Sequence, residues 1–299
     1  MSGTNGRAAG LLVAAAQWLA TPGDPEGNLA TARHWIGEAA AAGADLVVLP
    51  ELWPCGYDVA SLAGDAAAAA EPVPGSRTEA LGALAQRHGV WVFAGSVPER
   101  DGEAICNTAV VFNRDGALVA RHRKAHLYCP TGEDAVFAPG DRLTSFADPE
   151  LGHVAVTVCF DGDFPEVARA LAVRGADLVI QPAAYEWEAR AYWDRYYPGA
   201  ALANGQWWVL VNQCGTTASG TLLGASKIIS PAGAVVAEAR RAVPSATGPP
   251  ATPEPELLLC RLEESDETKE ARAFAQLMRE QRRGDLYLVT PPSVRSASP

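Results

Sequence analysis

The chain has no excess of basic charge: 24 Lys and Arg stand against 35 Asp and Glu in 299 residues, a formal net charge of -11. A surface of that sign has no field with which to hold a phosphate backbone, so nucleic acid is not an expected partner. Paired cysteines are also missing. The six, at 55, 106, 129, 159, 214 and 260, form no CxxC and no regular spacing, and a chain of this size does not need disulfide staples. Reduced thiols and a cytoplasmic setting are the expectation. The composition carries no signature of disorder, of collagen or of a membrane span. The apolar stretch from Ala8 to Ala16, flanked by Arg7, has the outline of a leader, yet it runs unbroken into Gln17-Trp18 and reads as a first core strand. What is present is a 48% hydrophobic chain, enough to bury one large core. We expect a single domain over residues 1–288, with 289–299 a loose tail whose last part, Pro291–Pro299, has too little apolar content to pack.

Short apolar runs ending in polar residues or Pro read as buried strands: Leu11–Gln17, Asp45–Pro50, Val90–Ser96, Ala109–Phe112, His153–Cys159, Asp177–Gln181 and Trp207–Asn212. Ala-rich segments of helical length lie between them, at about 28–42, 76–88, 164–174 and 188–204, giving a repeated βαβ order. Turns at Asp115-Gly116 and Ala232-Gly233 mark two hairpins. The segment from Arg241 to Glu256, rich in Pro, Ala, Gly and Thr, suits a surface loop before a strand Leu257–Leu262 and a helix from about Glu267 to Arg283. The chain also echoes itself. Gly43-Ala44-Asp45-Leu46-Val47-Val48-Leu49-Pro50 is matched by Gly175-Ala176-Asp177-Leu178-Val179-Ile180-Gln181-Pro182, then Trp91-Val92-Phe93 by Trp208-Val209-Leu210, then one hairpin by the other. Two such halves, each a sheet backed by helices, predict an α/β fold: a four-layer αββα sandwich with an internal pseudo-two-fold repeat.

Three segments carry candidate chemistry. The stretch from His153 through Cys159-Phe160-Asp161-Gly162-Asp163-Phe164-Pro165-Glu166 reads as a strand that breaks sharply into a helix. A Cys at such an elbow stands near a helix N-terminus, where the dipole favours a thiolate; on position alone, a free Cys is more often a small buried hydrophobe. Pro50-Glu51 places a carboxylate at the carboxyl end of a central strand, where open α/β sheets put their sites. A partly desolvated Glu there can take a thiol proton near neutral pH, whereas alone it would be an ordinary cap or surface residue. Arg121-His122-Arg123-Lys124 follows a hairpin strand, as solvated strand ends do, but a lysine beside a developing oxyanion supplies the positive charge that acyl transfer needs.

Together these segments resemble the three signatures of the carbon–nitrogen hydrolase (nitrilase-like) superfamily, which surround its Glu, Lys and Cys in that chain order. Here they stand as Leu49-Pro50-Glu51-Leu52, Arg123-Lys124-Ala125-His126-Leu127 and Cys159-Phe160-Asp161-Gly162-Asp163-Phe164-Pro165-Glu166. Glu133 ahead of Phe137-Ala138-Pro139-Gly140-Asp141, Gly224-Ala225-Ser226 and Arg283-Gly284-Asp285-Leu286-Tyr287 extend the likeness over roughly residues 10–288. The resemblance implies a hydrolase of a small non-peptide amide, working without metal or organic cofactor. Cys159 would be the nucleophile, Glu51 the general base, Lys124 with the Phe160 backbone N–H the oxyanion site, and Glu133 the second glutamate that positions substrate and Lys. It also implies a homodimer or larger homo-oligomer. Cys159-Phe160-Asp161 looks more like the amidase and carbamoylase branches than the Cys-Trp-Glu of nitrile hydrolases. Where the family often carries Arg-Ala-x-Glu-Asn, this chain has Ala200-Ala201-Leu202-Ala203-Asn204, a departure that touches helix contacts and assembly rather than chemistry.

Other readings stay open at this level. His122, His126 and Cys129 could suggest a metal site, though the segment is no convincing helix and lacks a fourth ligand. Tyr185, Glu186, Trp187 and Trp193 cluster after one motif strand, with Trp53 and Tyr128 after the others. Of these Tyr185 and Trp187, nearest the strand end, are the candidate substrate contacts; Glu186 could meet an amine-bearing substrate or simply face water. An N-carbamoyl amine or amino acid is the nearest alternative substrate, and its carboxylate-binding Arg cannot be picked from Arg169, Arg174 and Arg190. The same thioester could serve an acyltransferase, and a binding subunit with a retired site is a further class that intact Glu51, Lys124, Cys159 and Glu133 argue against.

Overall fold

The computed structural model describes residues 8–287; the tail expected over 289–299 lies outside them. Alternation of side chains along the strands builds two sheets, whose central strands are buried on both faces. The first contains β1 (Leu12–Gln17), β2 (Leu46–Val48), β3 (Trp91–Asp101), β4 (Ala104–Phe112), β5 (Leu118–Arg123) and, at the far edge, β14 (Glu256–Arg261), in the order β14-β1-β2-β3-β4-β5. The second contains β6 (Thr144–Asp148), β7 (Gly152–Val156), β8 (Leu178–Ala183), β9 (Trp207–Asn212), β12 (Lys227–Ile229) and β13 (Val235–Glu238), in the order β6-β7-β8-β9-β12-β13. Read across, the two sheets have the same pairing: antiparallel, parallel, parallel, antiparallel, antiparallel. The register matches too, with Val13, Leu46 and Trp91 aligned in one sheet and Val154, Leu178 and Trp207 in the other. The repeated Gly-Ala-Asp-Leu-Val segments are therefore the central strands of two equivalent halves.

The layers follow from the period of two. Val13, Ala15, Leu46 and Val48 face Val154, Val156, Leu178 and Ile180 across the space between the sheets. Their neighbours Ala14, Ala16 and Val47 face outward, under α1 (Pro25–Ala41) and α3 (Ser76–His88). On the opposite side Ala155, Val179 and Trp208 lie under α5 (Pro165–Val173) and α6 (Arg190–Asn204). Asp24 caps α1 by accepting from Gly27 N, with Pro25 in the first turn. Ser265 and Thr268 form a capping box on α7 (Asp266–Glu280). The αββα sandwich and its repeat are as the sequence pattern predicts.

Several elements differ from that pattern. β3 and β4 run on to Asp101 and Ala104, because the exposed far end of this hairpin carries polar residues that show no apolar signal. α2 (Leu62–Ala69), β6, and the small hairpin of β10 (Cys214–Thr216) with β11 (Thr221–Leu223) had no signal strong enough to be read. A short α4 (Glu133–Val136) places Glu133 at its start. Leu52, Tyr57, Leu62 and Phe137 form a satellite core under these loops, over the carboxyl ends of the strands.

Candidate active site

Glu51 follows β2 directly, and its position depends on a kink in the adjacent strand. At Gly95 the β3 register breaks, the backbone adopts φ +59°, and an added Cβ would sit 1.9 Å from the Pro50 carbonyl oxygen. Only glycine allows that approach. Ser96 then takes up the freed backbone, its amide donating to Pro50 O (3.2 Å) and its Oγ accepting from Leu52 N (2.9 Å). The side chain so placed is fully buried, as are those of Lys124, just past β5, and Glu133. Lys124 Nζ donates to Glu51 Oε1 (2.9 Å) and to Glu133 Oε1 (2.7 Å). Asn107 Nδ2 donates to the same Glu51 oxygen at 2.8 Å. Glu133 is fixed by Tyr57 OH (2.9 Å) and by the Tyr128 backbone amide (2.8 Å). Glu51 Oε2 makes no hydrogen bond of regular geometry.

Burial and charge set the proton affinities. Desolvation raises the Glu51 carboxyl above the ordinary range, against the pull of the Lys124 ammonium, and the negative charge of Glu133 adds to the rise. Burial works against the charged form of Lys124, but the two glutamates more than offset it, so the ammonium is held well above its usual range. An ammonium has three donors; two are engaged, and no third partner occurs among the described residues.

Cys159 completes the group from the other half of the molecule. After β7 the chain passes through Thr157-Val158 into a 3-10 turn, Cys159–Asp163, and only then into α5 at Pro165. Cys159 has φ +47°, a left-handed backbone that costs a residue other than glycine about 1–3 kcal/mol. The turn is locked by Asp161. This buried carboxylate accepts from the amides of Val158, Ala125 and His126 and from the rings of His122 (2.9 Å) and His126 (2.8 Å). It thus binds the Cys159 turn to the Lys124 segment. Gly162 allows close packing, since a Cβ there would lie 1.8 Å from Gln181 Oε1. His122 and His126 serve Asp161, and His126 stacks on Phe164 at 4.1 Å. Burial and the Glu51 charge push the Cys159 thiol well up, and Lys124 only partly opposes them. The 3-10 turn also sets the sulfur apart from the α5 N-terminus.

Cys159 is partly exposed, at the floor of a cleft of about 450 Å³, mouth included. Phe160, Tyr185, Tyr128 and Glu186 line it, as do Tyr57 and Asp163, neither of which stood out in the sequence. Both act through the fold: Tyr57 reaches back from a loop to Glu133, and Asp163 is set by Tyr185 and Tyr197. Trp187 is not brought to the cleft; it stands outside, under the Arg190 guanidinium at 4.2 Å from the ring. Trp53 is core, its indole N–H donating to Ala94 O, and Trp193 is likewise fully buried.

A carboxyl ready to take a proton, an ammonium with a spare donor and an accessible thiol meet the requirements of acyl transfer through a thioester. On a duplicated four-layer sandwich, they place the protein among the thiol-dependent hydrolases of carbon–nitrogen bonds. It belongs to the carbon–nitrogen hydrolase family, whose model matches residues 12–243. Among its relatives, the omega-amidase NIT2 of Danio rerio is 34% identical over 221 residues, covering 71% of this chain and 78% of that protein. A nitrilase of Pyrococcus abyssi is 36% identical, covering 72% and 80%. Of solved structures, Nit3 of Saccharomyces cerevisiae, a member of branch 10 of the nitrilase superfamily, superposes with TM-score 0.77 at 26% identity, over 91% of this chain and 96% of that one. An amidase from Nesterenkonia sp. AN1 superposes with TM-score 0.73 at 28% identity, over 94% and 100%, in a mutant showing covalent addition of the acetamide moiety of fluoroacetamide at the active-site cysteine. The protein is a hydrolase of amides.

Proposed function

We propose that Cys159 is the nucleophile of this hydrolase, Glu51 its general base and acid, and Lys124 the oxyanion donor held in place by Glu133, and that the substrate is a small linear amide. The observation that carries this reading is the wholly buried Glu51–Lys124–Glu133 cluster beside a partly exposed Cys159 that opens on the cleft. Glu51 takes the thiol proton as sulfur attacks the carbonyl carbon. The new S–C bond forms while the carbonyl electron pair moves to oxygen, where the third Lys124 N–H and the Phe160 backbone N–H receive the charge. The pair returns, the C–N bond breaks, and Glu51 passes its proton to the departing ammonia or amine. Water, deprotonated by Glu51, attacks the thioester, and the acid leaves as the thiol is restored. A resting thiol fits this order, since burial raises the proton affinity of both Cys159 and Glu51, and the proton that leaves the sulfur on attack passes to Glu51.

Tyr128, Phe160 and Tyr185 line a narrow space suited to a short acyl chain. Ammonia release from short amides by the wild type and by Cys159→Ala tests the reading: turnover retained in the variant would refute it. Exposed Val173, Leu202, Phe274 and Leu277 on α5, α6 and α7 support the expected homo-oligomer, with a second copy covering this face. Six unpaired thiols fit a reducing, cytoplasmic setting.

A further inference from the structure

The residues that line the cleft include two carboxylates, Asp163 and Glu186, and no Lys or Arg. The three candidate carboxylate-binding arginines are engaged elsewhere: Arg169 with Ala203 O, Arg174 with Leu143 O, Arg190 on Trp187. Lys124, the nearest ammonium, lies between Glu51 and Glu133. The two carboxylates are held differently. Asp163 is rigid: its Oδ1 accepts from Tyr185 OH and from Tyr197 OH (2.5 Å), and its backbone carbonyl from Tyr192 OH (2.7 Å). Its Oδ2 accepts no bond among the described residues, and the residue lines the cleft. Glu186 is half-buried and its side chain has neither a hydrogen bond nor an ion pair among the described residues, although a backbone bridge to Leu222 fixes its position. Burial and the charges of Glu186 and Asp163 raise the Tyr128 hydroxyl above its ordinary range.

A half-buried carboxylate without a cation has given up hydration for no partner, and a cation entering beside it restores the balance. A ligand carboxylate entering the same space meets like charge and no donor fork. The apolar walls between thiol and carboxylates suit a short methylene chain. We propose that the cleft selects amides whose acyl chain ends in a protonated amine, with Glu186 as the specificity-determining contact and Asp163 as a second, fixed acceptor. This rests on the amidase reading above and narrows its substrate class.

The test compares three amides of matched length, 4-aminobutanamide, pentanamide and succinamate, on the wild type, Glu186→Gln and Glu186→Asp. The wild type is expected to favour 4-aminobutanamide over pentanamide by about tenfold or more in kcat/KM, the scale of one charge-assisted hydrogen bond, and to turn over succinamate least. Glu186→Gln should cut the amine-to-neutral ratio about tenfold, and Glu186→Asp should restore part of it. A wild type that prefers pentanamide or succinamate, or a ratio unmoved by Glu186→Gln, overturns the proposal. Calorimetric binding to Cys159→Ala separates recognition from turnover. Tighter binding of 4-aminobutanamide than of pentanamide, weakened by adding Glu186→Gln, supports the proposal even where no amide is hydrolysed, an outcome that would sink the catalytic reading alone. Absent or equal binding of the two overturns it.

Discussion

Glu133→Gln changes one charge and almost no volume, and its effect can be worked from the bonds it breaks. Glu133 receives Lys124 Nζ and Tyr57 OH on one oxygen and the Tyr128 amide on the other. A glutamine cannot accept on both sides, so one of the three donors is left facing an NH2 group. The ion pair with Lys124 is replaced at best by an ammonium-to-amide bond, weaker for the loss of the acceptor's charge. Losing a hydrogen bond of that kind costs about 1.5–3 kcal/mol, or roughly 10- to 150-fold in kcat/KM if it acts fully on the transition state. A second effect has a definite sign. The Glu133 charge helps to raise the Glu51 carboxyl, so removing it lowers Glu51, weakens the base and moves the acid limb of kcat/KM to lower pH. The assay is ammonia release against pH for both proteins, with urea midpoints to confirm that the variant is folded. A kcat/KM within twofold of wild type and an unmoved acid limb would refute the reasoning.

Three further outcomes follow from the geometry. Burial alone would raise Asp161, but the bonds from His122 and His126 hold it below the usual carboxylate range; its contribution to stability is therefore complete above about pH 4 and lost as pH falls through the folded value. The urea-midpoint gap between wild type and Asp161→Asn should shrink below about pH 4, and a gap constant from pH 7 to 3 would contradict this. Trp187→Ala, outside the cleft, should leave KM within about twofold while costing ~0.5–1 kcal/mol through the lost Arg190 contact; a large rise in KM would return Trp187 to the binding site. Leu202→Glu with Phe274→Glu should halve the sedimenting mass of a homodimer, and a monomeric wild type would remove the proposed interface.

Much of the fold was legible because it is written twice. The segments ending at Leu49-Pro50 and at Gln181-Pro182 share one pattern, and both became central parallel strands with matched register. Side chains just past those strands were readable for the same reason, since a polar residue after an apolar run must stand at the sheet's carboxyl edge. Residues that reach the site from loops were not. Tyr57, Asn107 and Asp163 depend on where a loop returns, on the facing strand's register, and on a tyrosine pair contributed by the loop after β8 and by α6. Trp187 stands two residues beyond Tyr185, but the 3-10 turn that begins there carries it off the cleft wall. The proton affinity of Cys159 was not readable from the elbow alone, because it depends on how the sulfur packs and on the Glu51 charge that the other half of the molecule brings near it.

The central claim is covalent, and intact-protein mass spectrometry tests it most directly. Wild type and Glu51→Gln are incubated with a short amide or fluoroacetamide beside Cys159→Ala, and the modified peptide is mapped. The account predicts an added mass on Cys159, the acyl group from the plain amide on the wild type or the acetamide moiety, with loss of fluoride, from fluoroacetamide, and neither on Cys159→Ala. An adduct on any other residue, or hydrolysis that persists without Cys159, would contradict it.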